Sequence, residues 1–232
     1  MNLNTIKRFI KETPVLNAPI RFKHSREKKR NIKRLQQYGY TINDLIHDQL
    51  SGKVNYCCAY GTLLGIIRDN GMIKHDDDMD YFVVINDGHE WTVLLAGLLK
   101  IGFELDHFYT DPNGKLTEMV FRYQGIHIDF FGLVQSSENH YISYIFYQKK
   151  GKHYINGQCS TRVRYIPYFK SIESKEINGT IFAVPSNAEE ILLSVYGESW
   201  ITPIKNDNGE KSSDYQDYDD MYGRVFKISQ LS

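Results

Sequence analysis

The chain is organised around residues 56–85, which read YCCAYGTLLGIIRDNGMIKHDDDMDYFVVI. This stretch holds a Gly-Thr pair, a short apolar segment with one arginine, and a loop that ends in four aspartates: Asp76, Asp77, Asp78 and Asp80. The residues from Tyr81 to Ile85 follow at once and are rich in β-branched and aromatic side chains, which indicates a buried strand. A solvated acidic loop does not normally lead straight into core. The sequence therefore predicts that the acids lie at the mouth of a strand and carry the chemistry.

The overall composition is that of one large domain with small additions. The chain has 232 residues, of which 41% are hydrophobic, and its 28 basic residues balance its 28 acidic ones. Because this balance provides no global field to attract polyanions, no nucleic-acid partner is expected. The three cysteines include the adjacent pair Cys57-Cys58, which bridges poorly, and no CxxC spacing is present. We expect neither a disulfide framework nor a zinc site, and a reducing compartment is favoured.

Three features of the sequence concern the location of the protein: its first residues, one apolar run and one basic cluster. The first residues, MNLNTIKRFIKETPV, lack the apolar core and cleavage site of a signal peptide, and the apolar run 91–99 is too short to cross a bilayer. We expect a cytoplasmic protein, with peripheral contact at the inner face of the membrane left open. The basic cluster from Arg21 to Arg34 is either a solvated helix face or a patch that meets phosphate-rich lipid or glycan acceptors. Helical spacing spreads these charges around the axis, which favours the solvated face.

The order of the predicted elements indicates an α+β fold. Two helical segments separated at Gly39 are followed by a strand over 54–60, a Gly61-Thr62 turn and a short helix over 63–69. Further elements follow the acids: a helix over 90–100, strands over 103–109, 115–123, 126–134 and 141–148, a hairpin at Asn178-Gly179 and a helix over 188–197. We expect one mixed β-sheet that carries the acidic site and is flanked by helices. The predicted domains are an N-terminal helical arm (1–53), a catalytic domain (54–205) and a polar C-terminal tail (206–232).

The spacing of the acids points to a metal site. Residues that alternate along a strand share a face, so Asp76, Asp78 and Asp80 point the same way if the strand begins that early. Carboxylates this close repel one another unless a cation lies among them, and their hard oxygen atoms favour Mg²⁺ or Mn²⁺. Asp129 stands in the apolar run Ile126–Phe131, where burial is costly without a partner. A metal site shared by both strands provides that partner.

Other polar residues near the acids are candidates for supporting roles. Gly61 and Thr62 open a helix after a strand, so their backbone N–H groups could receive phosphate. Arg68 and Lys74 flank the acidic loop and could neutralise a diphosphate, or could form structural ion pairs with the same aspartates. His75 and His127 are expected to be neighbours that hydrogen-bond the site.

The stretch GTLLGIIRDNGMIKHDDDMD, from Gly61 to Asp80, resembles the signature of the LicD family, which reads roughly GTLLGxxRxxGxIPWDDDxD. That family includes bacterial phosphocholine transferases and relatives of fukutin-related protein, within the nucleotidyltransferase superfamily of DNA polymerase beta. The resemblance covers about residues 54–205. The segment around Asp129 resembles the second acidic strand of the family, and Val184-Pro185 with the later Tyr196–Trp200 resembles its C-terminal element. Lys74-His75 stands where the family has Pro-Trp, a departure that bears on the shape of the donor pocket.

The resemblance implies a nucleotidyltransferase-like core that transfers a phospho-alcohol from a CDP-activated donor to a hydroxyl of a glycan or lipid-linked glycan, such as a capsule or lipopolysaccharide precursor. Asp78 and Asp80 would bind Mg²⁺ or Mn²⁺, with Asp76 as a third ligand or water anchor. Asp129 would complete the metal site or act as base. Donor phosphates would be held by Gly61, Thr62, Arg68 and Lys74. Two alternatives stay open: a nucleotidyltransferase that moves NMP from an NTP to a small molecule or RNA, and a non-catalytic nucleotide-binding module.

Overall fold

A computed structural model describes residues 14–149, 152–155, 157–203 and 215–230. The helices are α1 (Pro14–Leu50), α2 (Tyr60–Leu64), α3 (His89–Lys100) and α4 (Ala188–Tyr196), with a π-helical turn at Gly65–Asp69 and 3-10 turns at Glu198–Ile201 and Ile228–Gln230. The strands are β1 (Tyr56–Cys58), β2 (Asp78–Val84), β3 (Glu104–Thr110), β4 (Leu116–Tyr123), β5 (Ile126–Gln135), β6 (His140–Tyr147), β7 (Gln158–Pro167), β8 (Ile172–Ile177), β9 (Thr180–Pro185) and β10 (Tyr215–Lys227).

Six strands close into a barrel in the order β5-β4-β3-β10-β7-β6, because β6 pairs with β5 as well as with β7. Strand β5 makes closure possible through its length of ten residues. Its first part pairs with β4, whereas Val134 and Gln135 near its end pair with β6. Outside the ring, β2 lies parallel to β5 and β1 lies antiparallel to β2.

The expected α+β fold with a mixed sheet and flanking helices is confirmed at that level. The finer expectation of a nucleotidyltransferase-like sheet needs correction, since the strands form a closed barrel with β2 and β1 attached to its β5 side. The predicted helix 63–69 also differs from the observed one. Helix α2 begins at Tyr60, so Gly61-Thr62 lies within its first turn, and the π-helical turn continues it to Asp69.

Helix α1 is one continuous helix from Pro14 to Leu50, where the sequence predicted two helical segments separated at Gly39. Gly39 does not interrupt the helix. A Cβ at this position would collide with the sulfur of Met72, so glycine allows a close approach of helix and loop. The C-terminal half of α1 packs into the core through Ile42, Ile46 and Leu50, which follow one another at one-turn spacing.

The predicted polar tail, residues 206–232, contains a barrel strand. Strand β10 pairs with β3 on one side and β7 on the other. Phe226 stacks on Phe108 with 5.0 Å between ring centroids, and the Gly223 N–H donates to Thr161 Oγ1 at 2.9 Å. The tail prediction is therefore wrong for 215–227. Residues 206–214 of the tail and 1–13 of the predicted arm lie outside the described residues.

Two further findings concern the helices and the cysteines. Among the residues that the structure describes, no helix is long and apolar enough to cross a membrane. Cys57, Cys58 and Cys159 are buried and free.

Most of the predicted central elements agree with the observed ones to within one or two residues. These are the helix over 90–100, which corresponds to α3, and the strands over 103–109, 115–123, 126–134 and 141–148, which correspond to β3 to β6.

Candidate active site

The parallel pairing of β2 with β5 brings acids from both strands together. Asp80 lies opposite Asp129 in the register, and Asp78 lies opposite His127. One carboxylate oxygen each from Asp78, Asp80 and Asp129 lies within 4.8 Å of the others. The expectation that two strands share one acidic cluster therefore agrees with the geometry.

Asp76 reaches the cluster from a loop, because β2 begins only at Asp78. Its Oδ1 accepts the N–H of Asp77 at 3.1 Å, and its Oδ2 would lie 2.6 Å from a Cβ built on Gly61. Asp76 and Asp77 also lie close to Asp78, with one oxygen of each within 4.8 Å of the others. Asp77 pairs with Lys28 Nζ at 3.2 Å, so it connects the acidic loop to helix α1.

Two residues at the start of α2 position the Asp80 carboxylate and backbone. The Gly61 N–H donates to Asp80 Oδ2 at 3.3 Å, and Thr62 Oγ1 accepts the Asp80 N–H at 2.8 Å. A side chain at position 61 would displace the Asp76 carboxylate, which occupies that space. The predicted contacts of Gly61 and Thr62 with donor phosphates stay predictions; in the structure both residues contact Asp80.

Arg68 forms an ion pair with Asp69, outside the acidic cluster. Its Nε and Nη2 donate to the Asp69 carboxylate at 2.7 and 2.9 Å, and its Nη1 donates to the Trp200 carbonyl at 3.4 Å. This hydrogen-bonded arginine lowers the pKa of Asp69. Lys74 and His75 are exposed on the loop before the acids. The structural ion pair that was one of the two alternatives for Arg68 is therefore observed, but its partner is Asp69 and not an aspartate of the acidic loop.

Beside the cluster lies a chain of polar groups, of which only His127 was expected from the sequence, as a neighbour that hydrogen-bonds the site. Arg122 Nη2 donates to Asp106 Oδ1 at 3.0 Å and to His127 Nε2 at 2.7 Å. His107 Nδ1 lies 2.7 Å from Asp106 Oδ2. Burial, followed by the Arg122 charge, lowers the pKa of His127, so a neutral imidazole is favoured beside Asp78. The sequence held a signal, since the Gln124-Gly125 turn sets Arg122 opposite His127.

Burial and mutual repulsion act on the whole acidic cluster. Burial, and then the Asp78 charge, raises the pKa of Asp76 to about 7 and that of Asp129 to about 8. Burial is also the largest cause of the raised pKa values of Asp78 and Asp80. On β4, the buried Glu118 has its pKa raised by burial and by the charge of Asp129.

The cluster fits a hard divalent cation on chemical grounds. Its donor atoms are all carboxylate oxygens, which Mg²⁺ and Mn²⁺ prefer. Asp129 Oδ1 is buried and accepts no hydrogen bond from the described residues, so one acceptor is left for a ligand. A cation would remove the repulsion that raises these pKa values.

The fold is α+β, and the candidate site consists of carboxylates on two adjacent parallel strands. A family model described as LicD/FKTN/FKRP, nucleotidyltransferase domain, matches residues 53–187, more than half of the chain. The chain therefore belongs to the LicD family, which confirms the resemblance found in its sequence. Membership supports phosphotransferase activity directed at glycans. None of the curated proteins is significantly similar to the chain.

Proposed function

We propose that the protein transfers a phospho-alcohol, either phosphocholine or a polyol phosphate, from a CDP-activated donor to a hydroxyl of a glycan or lipid-linked glycan. The proposal rests on one observation above all: Asp78, Asp80 and Asp129 bring their oxygens within 4.8 Å of one another. Family membership supplies the reaction class. A cytoplasmic location and the absence of a nucleic-acid substrate belong to the same proposal.

Asp78, Asp80 and Asp129 are the residues that would hold Mg²⁺ or Mn²⁺, with Asp76 as a further ligand or water anchor. When bound, the cation neutralises the donor diphosphate and the charge that develops during phosphoryl transfer. The chain's own contribution is largely positioning. Gly61 and Thr62 fix Asp80 through the Oδ2 and backbone contacts, at 3.3 and 2.8 Å.

Asp129 has two roles within this proposal, and both follow from its position. It can complete the ligand set, or its carboxylate can accept the proton of the attacking hydroxyl. Burial raises the pKa of Asp129 to about 8 in the metal-free protein, and a bound cation would lower it and favour the carboxylate that either role needs. The variant Asp129→Asn separates the roles. Loss of metal affinity in calorimetry indicates a ligand, whereas loss of turnover at unchanged metal affinity indicates the base.

The donor phosphates need cationic partners at the mouth of the site. Lys74 is exposed two residues before Asp76, and we include it in the donor site for that reason. Arg68 donates to Asp69 at 2.7 and 2.9 Å, and this ion pair already offsets the charge that it could offer to a phosphate. We therefore expect Lys74→Gln to raise the KM for the donor more than Arg68→Gln does.

The decisive experiment is a donor panel. Purified protein is incubated with Mg²⁺ and CDP-choline, CDP-ribitol or CDP-glycerol, together with a glycan acceptor, and CMP release and acceptor mass are followed by mass spectrometry. The expected result is CMP release with a gain of the phospho-alcohol mass, absent from the Asp80→Asn variant.

A parallel incubation with NTPs tests the alternative activity. Transfer of NMP with release of pyrophosphate would replace the proposal with a nucleotidyltransferase. If the wild-type protein bound no divalent metal in calorimetry, both enzyme functions would fail, and a non-catalytic nucleotide-binding module would remain.

A further inference from the structure

Helix α1 carries a row of exposed basic side chains, which we call the basic face. It consists of Arg26, Lys29, Arg30 and Lys33. These positions are spaced i, i+3, i+4 and i+7, which places them on one side of a continuous helix. Four of the basic residues of this segment therefore share one side of the helix, although the charges of the segment as a whole are spread around its axis, as expected.

The basic face stands out against a chain whose charges otherwise balance. The segment 21–34 contains eight lysines and arginines and one glutamate, whereas the whole chain has 28 basic and 28 acidic residues. Lys29, Arg30 and Lys33 are like charges on adjacent turns, which repel one another and gain free energy when an anionic partner lies over them.

The basic face also stands away from the core. Among the described side chains of α1, burial begins at Leu35, two residues after Lys33. On another side of the same helix, Lys28 pairs with Asp77 at 3.2 Å. One turn beyond Lys33 and on the same side as the basic face, Gln36 Nε2 donates to the Ile73 carbonyl at 3.1 Å. Helix α1 thus contacts the loop that carries the acids, so a partner of the basic face would be held near the acidic cluster.

We propose that the basic face docks the protein on an anionic lipid surface. Each lysine or arginine near such a surface strengthens binding about fivefold, so Lys29, Arg30 and Lys33 together give appreciable affinity. The sequence just before the row is apolar, with Val15, Leu16, Ile20 and Phe22. Apolar residues next to basic ones are the composition of segments that bind membrane interfaces, which favours lipid over nucleic acid. The further step, presentation of the acidic cluster to lipid-linked glycan acceptors, rests on the proposed function.

The test compares two triple variants of the full chain for binding to sedimented vesicles. Lys29→Gln, Arg30→Gln and Lys33→Gln remove charges from the basic face. Lys100→Gln, Lys115→Gln and Lys170→Gln remove the same number of exposed charges elsewhere. Vesicles of phosphatidylcholine with phosphatidylglycerol are compared with vesicles of phosphatidylcholine alone, and circular dichroism checks that each variant keeps its helix content.

The wild-type protein should bind the anionic vesicles, and added salt should weaken the binding. The triple variant of the basic face should lose roughly a hundredfold in vesicle partitioning, whereas the matched triple should bind like wild type. Equal binding to neutral and anionic vesicles, or equal loss in the two triples, would overturn the proposal. Displacement of the protein from vesicles by equimolar RNA would overturn it in favour of nucleic acid. Because no donor is present, these outcomes are independent of whether the proposed transfer occurs.

Discussion

Two regions of the molecule differ in how their side chains interact. In the acid-bearing region, which we call the edge and which consists of α2, β2 and the first part of β5, buried carboxyl groups repel one another. On the opposite side of the barrel, which we call the far wall and which consists of β3, β10, β7 and β6, partly buried aromatic rings attract one another. At the edge, burial and the charge of Asp78 raise the pKa of Asp129 to about 8. On the far wall, Tyr109 and Phe146 stack with their ring centroids 4.9 Å apart. From this difference we infer that the edge can keep mutually repelling carboxyl groups together because packing elsewhere in the fold stabilises the folded state. Substitutions in the two regions should therefore have different consequences.

The largest effect is expected from Asp80→Asn at the edge. Loss of this carboxylate should lower turnover roughly a thousandfold or more, because charge stabilisation by a metal is worth several kcal/mol. The free energy of unfolding should rise at neutral pH, since the variant removes a carboxyl group whose ionisation is opposed by burial and then by the charges of Asp78, Asp129 and Asp76. Turnover and urea denaturation, measured on the same preparation, would show these opposite changes.

The exposed Asp87 provides the matched control for Asp80→Asn. Asp87 lies in the turn before α3, where its Oδ1 accepts the His89 N–H at 2.9 Å. Asp87→Asn should leave turnover near the wild-type value and change stability by about 0.5 kcal/mol or less. A variant Asp80→Asn that turns over normally, or unfolds more easily than wild type, would contradict the division between edge and wall.

The next effect comes from two glycines, one in each region. A Cβ at Gly61 would lie 2.6 Å from Asp76 Oδ2, so Gly61→Ala should displace the acid and lower turnover roughly tenfold to a hundredfold. A Cβ at Gly223 would collide with the Phe146 ring and lie 2.7 Å from the Thr110 carbonyl. Gly223→Ala should cost about 1–3 kcal/mol of stability and leave the turnover of the folded protein unchanged.

Denaturant unfolding and turnover per folded molecule, both measured on both glycine variants, would test this contrast. Gly61→Ala should unfold within about 1 kcal/mol of wild type, because the group that must move is the end of a side chain. If Gly223→Ala lowered the turnover of folded protein as strongly as Gly61→Ala, the two regions would not be independent.

The acid-bearing edge could be predicted from the sequence, because the patterns that indicate it lie within short stretches of the chain. Alternate spacing placed Asp78 and Asp80 on one face, and an acid within an apolar run singled out Asp129. The limit of that reasoning shows at Asp76, which lies before the first residue of β2 and reaches the cluster from a loop. Alternation describes residues within a strand but does not define where the strand begins.

The far wall could not be predicted from the sequence, because its strand pairing joins distant parts of the chain. Thr110 of β3 lies opposite Arg224 of β10, and no local pattern specifies such a pair. The many polar residues of 215–227 indicated a tail, although a barrel strand needs an apolar face only where it meets core. Gly39 was misinterpreted for a related reason, since its need for glycine comes from Met72 on another element.

A smaller effect is expected from pH, and it separates the edge from the wall without substitution. The pKa of Asp76 is raised to about 7 and that of Asp129 to about 8, from 3.8 in the unfolded chain. Between these values the folded protein binds more protons than the unfolded chain, so its stability falls as pH rises from about 4 to about 8. In EDTA, the Tm should therefore decrease across this window.

Magnesium should oppose this loss, and its effect should be largest at the alkaline end. Ligand carboxylates must be deprotonated, so metal binding strengthens as pH rises through 7 and 8. Differential scanning calorimetry with Mg²⁺ or EDTA measures the difference. The variant Asp80→Asn should show a shallower dependence on pH. A Tm that rose with pH in EDTA would mean that the acids are not held under repulsion.

The smallest effect should come from Lys28→Gln, at the contact between α1 and the edge. The Lys28 side chain is 61% exposed and that of Asp77 28% exposed, and ion pairs on the surface contribute about 0–1 kcal/mol. The free energy of unfolding should change by about 0.5 kcal/mol or less. Burial raises the pKa of Asp78 and Lys28 offsets part of that rise, so the lysine competes with a bound cation. Its removal should strengthen Mg²⁺ binding by about threefold or less in calorimetry, with Lys100→Gln as the control. A clear loss of Mg²⁺ affinity would instead show that Lys28 holds the acidic loop in position, and the edge would then depend on α1 as well as on β2 and β5.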